Sequence, residues 1–246
     1  MPPSRISTTT GLLTIWVASA LAEPAPALAP FPGVTGGKPA APWRVVGLPA
    51  SARPLTRFDI TTIDGNAVLR VRSDHSYANL VHDLPDVVLA PGTQLRWRWR
   101  LDQPLPDADL RRRDADDTAL KLCLLFNMPV DNLSFMDRNV LRMARTLSGE
   151  RLPAATLCYV WDSTLPVGTL INNAYSSRLR MLVVDSGPQH LGQWVSHDRD
   201  VVADFRRAFG HESPGVAPLE AVAVGADSDN TGGKSLGYVA DVTLAP

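Results

Sequence analysis

Thr93-Gln-Leu-Arg-Trp-Arg-Trp-Arg-Leu101 decides the fold. Successive side chains of a β-strand point to opposite faces. Leu95, Trp97, Trp99 and Leu101 therefore share one face, and Arg96, Arg98 and Arg100 share the other. Indoles flanked by leucines make a face to bury. The stretch predicts a strand with one dry side and one wet side. It leaves open which way the arginines face. On a concave face, Arg98 would stand at the middle of an anion-binding row; on a convex face, the row is simply solvated.

The same period recurs on both sides of this strand. Arg57–Ile63 and Ala67–Ser73 flank Asp64-Gly65, a pair suited to the positive φ of a hairpin turn. Leu120–Phe126 is a near-continuous apolar run, as a central strand requires. Thr156–Trp161, Arg178–Val184, Leu191–Ser196, Leu219–Val224 and Leu236–Leu244 read as further strands, with order beginning at Trp43–Val46. Two helices interrupt them. Phe135–Thr146 is weakly amphipathic. Asp200–Phe209 has an N-cap aspartate, Val201, Phe205 and Phe209 at helical spacing, and Gly210 as a stop. Many short strands with turn signals between them predict an all-β, jelly-roll-like sandwich with one or two short peripheral helices.

The chain has 246 residues, 45% of them apolar, enough for one substantial core. Residues 1–22 read as a cleaved secretory signal peptide. Arg5 supplies a positive start, Gly11–Ala18 begins an apolar run too short to span a bilayer, and Ala20-Leu21-Ala22 is the small-x-small cleavage pattern. Residues 23–42, rich in Pro and Ala, read as a flexible leader, and residues 43–246 as a single domain. The expected location is the periplasm or the cell exterior, with no membrane span once the signal is removed. A net charge of −1 gives no basis for nucleic-acid binding. Cys123 and Cys158 lie in two strand-like runs, and in an oxidising compartment they form a candidate disulfide.

Several polar groups fall at strand ends. Asp227-Ser-Asp-Asn-Thr-Gly-Gly233 has the composition of a tight turn. As a binding loop, Asp229, Asn230 and Thr231 can bracket sugar hydroxyls. Its oxygens could also serve calcium, although the spaced glutamate of an EF-hand is missing. Asp116 and Asp117 precede the central strand, after Arg111-Arg-Arg113. With Asp229 they are the candidates for acid/base work on a glycosidic bond. Trp161 ends a strand and is a stacking candidate, and Asn172, Asn173 and Tyr175 form a polar stretch suited to the same rim. Gly233-Lys234-Ser235 is not a phosphate loop, because the required earlier glycine is Ser228. The five histidines lack metal-ligand spacing, and neither a Gly-x-Ser-x-Gly elbow nor a Cys-x-x-Cys pair occurs. No metal and no cofactor is expected from motifs.

Taken in order, the motifs form a set. They are Leu-Arg-Trp-Arg-Trp-Arg-Leu (95–101), Asp-Ala-Asp-Asp (114–117), Tyr-Val-Trp (159–161), Leu-Pro-Val-Gly-Thr (165–169) and Asn-Asn-Ala-Tyr (172–175). Gly-Gln-Trp-Val (192–195), residues 199–210 and Asp-Ser-Asp-Asn-Thr-Gly-Gly (227–233) complete it. The set resembles the bacterial exported family catalogued as domain of unknown function 3047. The resemblance implies a compact exported β-rich domain and no particular activity. A bridge between Cys123 and Cys158 would be a local addition to the family pattern. The leading expectation is a non-catalytic module that binds a carbohydrate-type ligand. The alternatives are a glycan-active enzyme using Asp116, Asp117 and Asp229, and a structural protein of the cell envelope.

Overall fold

The computed structural model describes residues 28–48, 51–133, 135–148 and 152–245. The signal peptide read at residues 1–22 and the start of the leader lie outside them. Two sheets stack face to face. The larger has seven strands in the order β1 (Trp43–Val46), β4 (Tyr77–Val87), β11 (Leu219–Asp227), β6 (Thr118–Phe126), β7 (Ala155–Asp162), β9 (Leu179–Ser186) and β8 (Leu170–Asn172). The smaller has five, in the order β10 (Val195–Asp200), β5 (Gln94–Gln103), β12 (Lys234–Ala245), β3 (Asn66–Asp74) and β2 (Arg57–Ile63). All pairings are antiparallel except β7 with β9. The all-β sandwich expectation holds, with two helices, α1 (Phe135–Ser148) and α2 (Val201–Phe209), beside it.

The indole row faces the other sheet. Trp97 and Trp99 are buried with Leu95 and Leu101 in the main core. The arginine row takes the outer face of the smaller sheet, where Arg96 pairs with Asp198, Arg98 with Asp241 and Arg100 with Asp102. Asp241 reaches Arg98 through a bulge in β12, where its φ is 55°. Helix α2 starts as its cap predicts: the Asp200 side chain accepts from Ala203 N at 2.9 Å. Its Phe205 packs on Phe126 with ring centroids 4.7 Å apart. Among the described residues, no helix is long and apolar enough to cross a membrane.

Three local expectations need correction. Residues 28–42 are not a free leader. Leu28 is buried, Trp43 Nε1 donates to Ala29 O, and Ile60 exchanges backbone hydrogen bonds with Gly36 and Gly37. Local composition carried no sign of these distant partners. Strand β4 was missed because Pro85 and the polar residues around it interrupt its alternation. Strand β10 begins at Val195, four residues later than Leu191. Gly187 and Gly192 adopt φ of 68° and 73°, which keeps the preceding segment in turns.

Candidate functional site

Each face of the seven-stranded sheet has its own apolar cluster. The inner face joins the main core. The outer face carries Val81, Cys123, Cys158, Ala221 and Ala223. Cys123 and Cys158 stand directly opposite each other on β6 and β7 and are joined by a disulfide. Above this patch lies a groove of about 470 Å³. Its floor includes the disulfide, Ala221 and Ala223, and its polar end presents Tyr77, Asn79 and Lys121.

Lys121 is the charged residue within the apolar run of β6 and is buried. A buried ammonium needs a partner, and β11 supplies one: Lys121 Nζ donates to Asp227 Oδ1 at 2.7 Å. Burial works against its charge, but the Asp227 carboxylate outweighs that and raises the lysine pKa. The Tyr77 ring lies 5.1 Å from the ammonium. Asn79 Nδ2 donates to Tyr77 Oη at 3.2 Å. The Asn79 side chain rests where a β-carbon on residue 225 would be, 2.2 Å from its Oδ1, so only Gly225 leaves room. Asn79 Oδ1 is buried and makes no hydrogen bond.

Beside this groove end, four connections meet: Asp74–Tyr77, the segment before β6, the loop after β8, and Ser228–Gly233. Asp117 ties the segment before β6 to the Ser228–Gly233 loop. Its Oδ1 accepts from Asn230 N at 3.1 Å, and its Oδ2 accepts from Thr231 N and Oγ1 at 2.7 and 2.5 Å. Asp116 Oδ2 accepts from Asn173 Nδ2 at 2.5 Å, while its Oδ1 has no partner. Burial, with Asp227 nearby, pushes the Asp116 carboxyl up to about 7. Tyr175 Oη donates to Arg113 O at 2.6 Å. Arg53 donates to both the backbone oxygen and the carboxylate of Asp229. Burial raises the Asp229 pKa more than Arg53 lowers it, and the same balance holds for Asp227 beside Lys121.

The structure thus brings Asp116, Asp117, Asn173, Tyr175, Asp229, Asn230 and Thr231 to one place. It leaves out three other candidates. Trp161 is not a stacking platform: it is 3% exposed, lies between the sheets, and donates from Nε1 to Gly187 O. Period two fixes that outcome, since Trp161 shares the inward face of β7 with Tyr159 and Leu157. Arg98 belongs to the opposite sheet's outer face, stacked on Trp194 at 4.7 Å. Asn172 sits on the edge strand β8, paired with Arg180. Sequence reasoning missed Tyr77, Asn79, Thr118 and Lys121, and read Asp227 only as the start of the polar loop, without its partner Lys121. The available signal was Lys121, a lone charge in an otherwise apolar strand.

Solved structures resemble this chain only weakly. The xyloglucanase domain of NopAA from Sinorhizobium fredii, solved with cellobiose, has 10% identity and a TM-score of 0.45, covering 82% of this chain and 93% of its own. Trichoderma harzianum endoglucanase 3 has 10% identity and a TM-score of 0.36, covering 84% and 97%. The cellulose-induced protein Cip1 has 10% identity and a TM-score of 0.35, covering 82% and 90%. Likenesses at this level carry no weight for the site. No curated protein matches the chain. A family model matches residues 41–243, nearly all of the sandwich, and the chain therefore belongs to the protein family of unknown function DUF3047.

Proposed function

We propose that this chain is an exported, non-catalytic binding module whose ligand, of carbohydrate type, lies in the groove on the outer face of the seven-stranded sheet. One observation carries the reading. Asn79 lines that groove, and its Oδ1 is a buried acceptor with no hydrogen bond, held over Gly225. A buried polar atom left unpaired costs about 1–3 kcal/mol, and a turn of the amide toward the groove would let a ligand hydroxyl recover it. A sugar ring has an apolar face and a hydroxyl edge. The floor of Ala221, Ala223 and the disulfide suits the face; Asn79, Tyr77 and Lys121 suit the edge. The disulfide also supports an oxidising compartment, periplasm or exterior.

Catalysis by Asp116, Asp117 and Asp229 fits less well. A glycosidase places two carboxyls across the bound bond, roughly 5–9.5 Å apart. None of the three lines the groove. Asp117 accepts three hydrogen bonds, from two backbone N–H groups and one hydroxyl, the role of a loop anchor.

A glycan array with purified protein tests the reading. Wild-type protein should retain at least one glycan class, and Tyr77→Ala and Asn79→Ala should each weaken it about tenfold, given roughly 1.4 kcal/mol per decade. Absence of any retained glycan, or undiminished retention by both variants, overturns it. Release of reducing ends that disappears in Asp116→Asn would replace binding with catalysis.

A further inference from the structure

Asp117, Asp227 and Asp229 come from two connections far apart in sequence. Each offers an oxygen, and the three oxygens lie within 4.8 Å of one another. Two ligands on opposite sides of a calcium ion, at about 2.4 Å each, are separated by about that distance. Carboxyl groups clustered on a protein are common, so the distance alone decides nothing.

A second observation does. Thr118 is the partner of Asp227 in the β6–β11 ladder, where a register shift after Gly225–Lys121 adds one residue to β6 and so sets the two side chains on the same side of the sheet. Thr118 is 2% exposed, and its Oγ1 makes no hydrogen bond. Asp116 Oδ1, also buried, has none either. A hydroxyl in such a place ordinarily finds a partner. The charges are also out of balance. Asp116, Asp117, Asp227 and Asp229 gather here, and the ion pairs among the described residues bring only Lys121 and Arg53 to them. Lys121 pairs with Oδ1 of Asp227 and Arg53 with Oδ2 of Asp229.

We propose that Asp117, Asp227, Asp229 and the Thr118 hydroxyl bind a hard divalent cation, calcium by its chemistry. The donor set is all oxygen, without His or Cys, which selects calcium over zinc. The ion would lock the Ser228–Gly233 loop onto the start of β6, next to the groove end that carries Lys121. This site does not depend on the groove's ligand, and the groove reading survives if the site fails.

The experiment uses the full purified chain, stripped with a chelator and exchanged into metal-free buffer. Calorimetry with calcium chloride should give one equivalent bound, and the melting temperature should rise with calcium concentration. Magnesium should bind more weakly, because it demands a smaller octahedral shell. Thr118→Val keeps the side-chain shape and should weaken calcium about tenfold or more. Asp229→Asn should do the same, and Asp198→Asn on the other sheet should change nothing. Should Asp229→Asn fail to fold, Thr118→Val decides alone. The proposal is overturned by a folded wild-type chain showing neither heat nor a melting shift at about 10 mM calcium, above the weakest extracellular calcium sites. It is equally overturned if Thr118→Val binds as wild type does.

Discussion

At the Ser228–Gly233 loop, Asp116, Asp117, Asp227 and Asp229 share Lys121 and Arg53; beyond α2, a single carboxylate, Glu212, is held by both Arg178 and Arg180. The two clusters have opposite charge balance and opposite consequences. Burial disfavours the Glu212 carboxylate, but the two guanidinium groups outweigh it and bring its pKa below the ordinary glutamate value. Arg180 is itself braced on the Phe209 ring, 4.3 Å from its centroid. At the other cluster, burial wins and Asp116 rises to about 7. Burial alone therefore does not set a carboxyl's state; the number of cations that reach it does. A carboxylate held by two cations is a clamp between segments. A group of carboxylates with fewer cations than charges retains capacity for something further.

Breaking the Lys121–Asp227 pair should have the largest effect. Asp227→Asn removes the countercharge of a buried ammonium and should cost about 3–5 kcal/mol, read from the urea midpoint. A cost below about 1 kcal/mol would mean the lysine finds water or another partner, and the contrast between the clusters would weaken.

Gly225→Ala tests the packing beside that pair. The new β-carbon would lie 2.2 Å from Asn79 Oδ1 and 3.0 Å from Lys121 Cε. Overpacking of this kind should cost about 1–3 kcal/mol and displace Asn79 from the groove, weakening any retained ligand. Unchanged stability and binding would show that Asn79 has room to move.

The Glu212 clamp should respond to acid. Its carboxyl is depressed in the folded chain, so its contribution is present above the ordinary glutamate value and is lost as pH falls through the lower folded value. Glu212→Gln should lose about 1–3 kcal/mol near pH 7. The variant should also lack that part of the wild-type fall in melting temperature below about pH 4. Parallel pH curves for the two proteins would remove the clamp from the comparison.

Arg98→Ala should matter least. The Arg98–Asp241 pair is partly solvated, with side-chain exposures of 29% and 67%, and such pairs contribute within about 1 kcal/mol. Ligand retention should be unaffected, since Arg98 lies on the far sheet. A loss of retention would place binding on the arginine face instead.

Much of the fold was legible in the chain because its signals are local. The Trp97/Trp99 alternation, the Asp64-Gly65 turn and the Asp200 cap each depend on residues a few positions apart. The candidate site was half legible. Asp116, Asp117, Asp229, Asn230 and Thr231 carry the composition of polar loops, and loops reach the surface. Trp161 misled because its place at a strand end suggested a rim, whereas its register puts it inside. Lys121 was passed over because an apolar run reads as core on both faces, so the polar loop that begins at Asp227 was read without its buried partner.

By itself, the order of residues determined which segments extend, where they turn, and which side of β5 is dry. Tertiary structure decided that β11 inserts between β4 and β6. That placement brings Asn79, Lys121 and Asp227 onto neighbouring strands and sets Thr118 opposite Asp227. The physical reason is range: period and turn propensity act between near neighbours, while strand order follows from burying two sheets against each other at once.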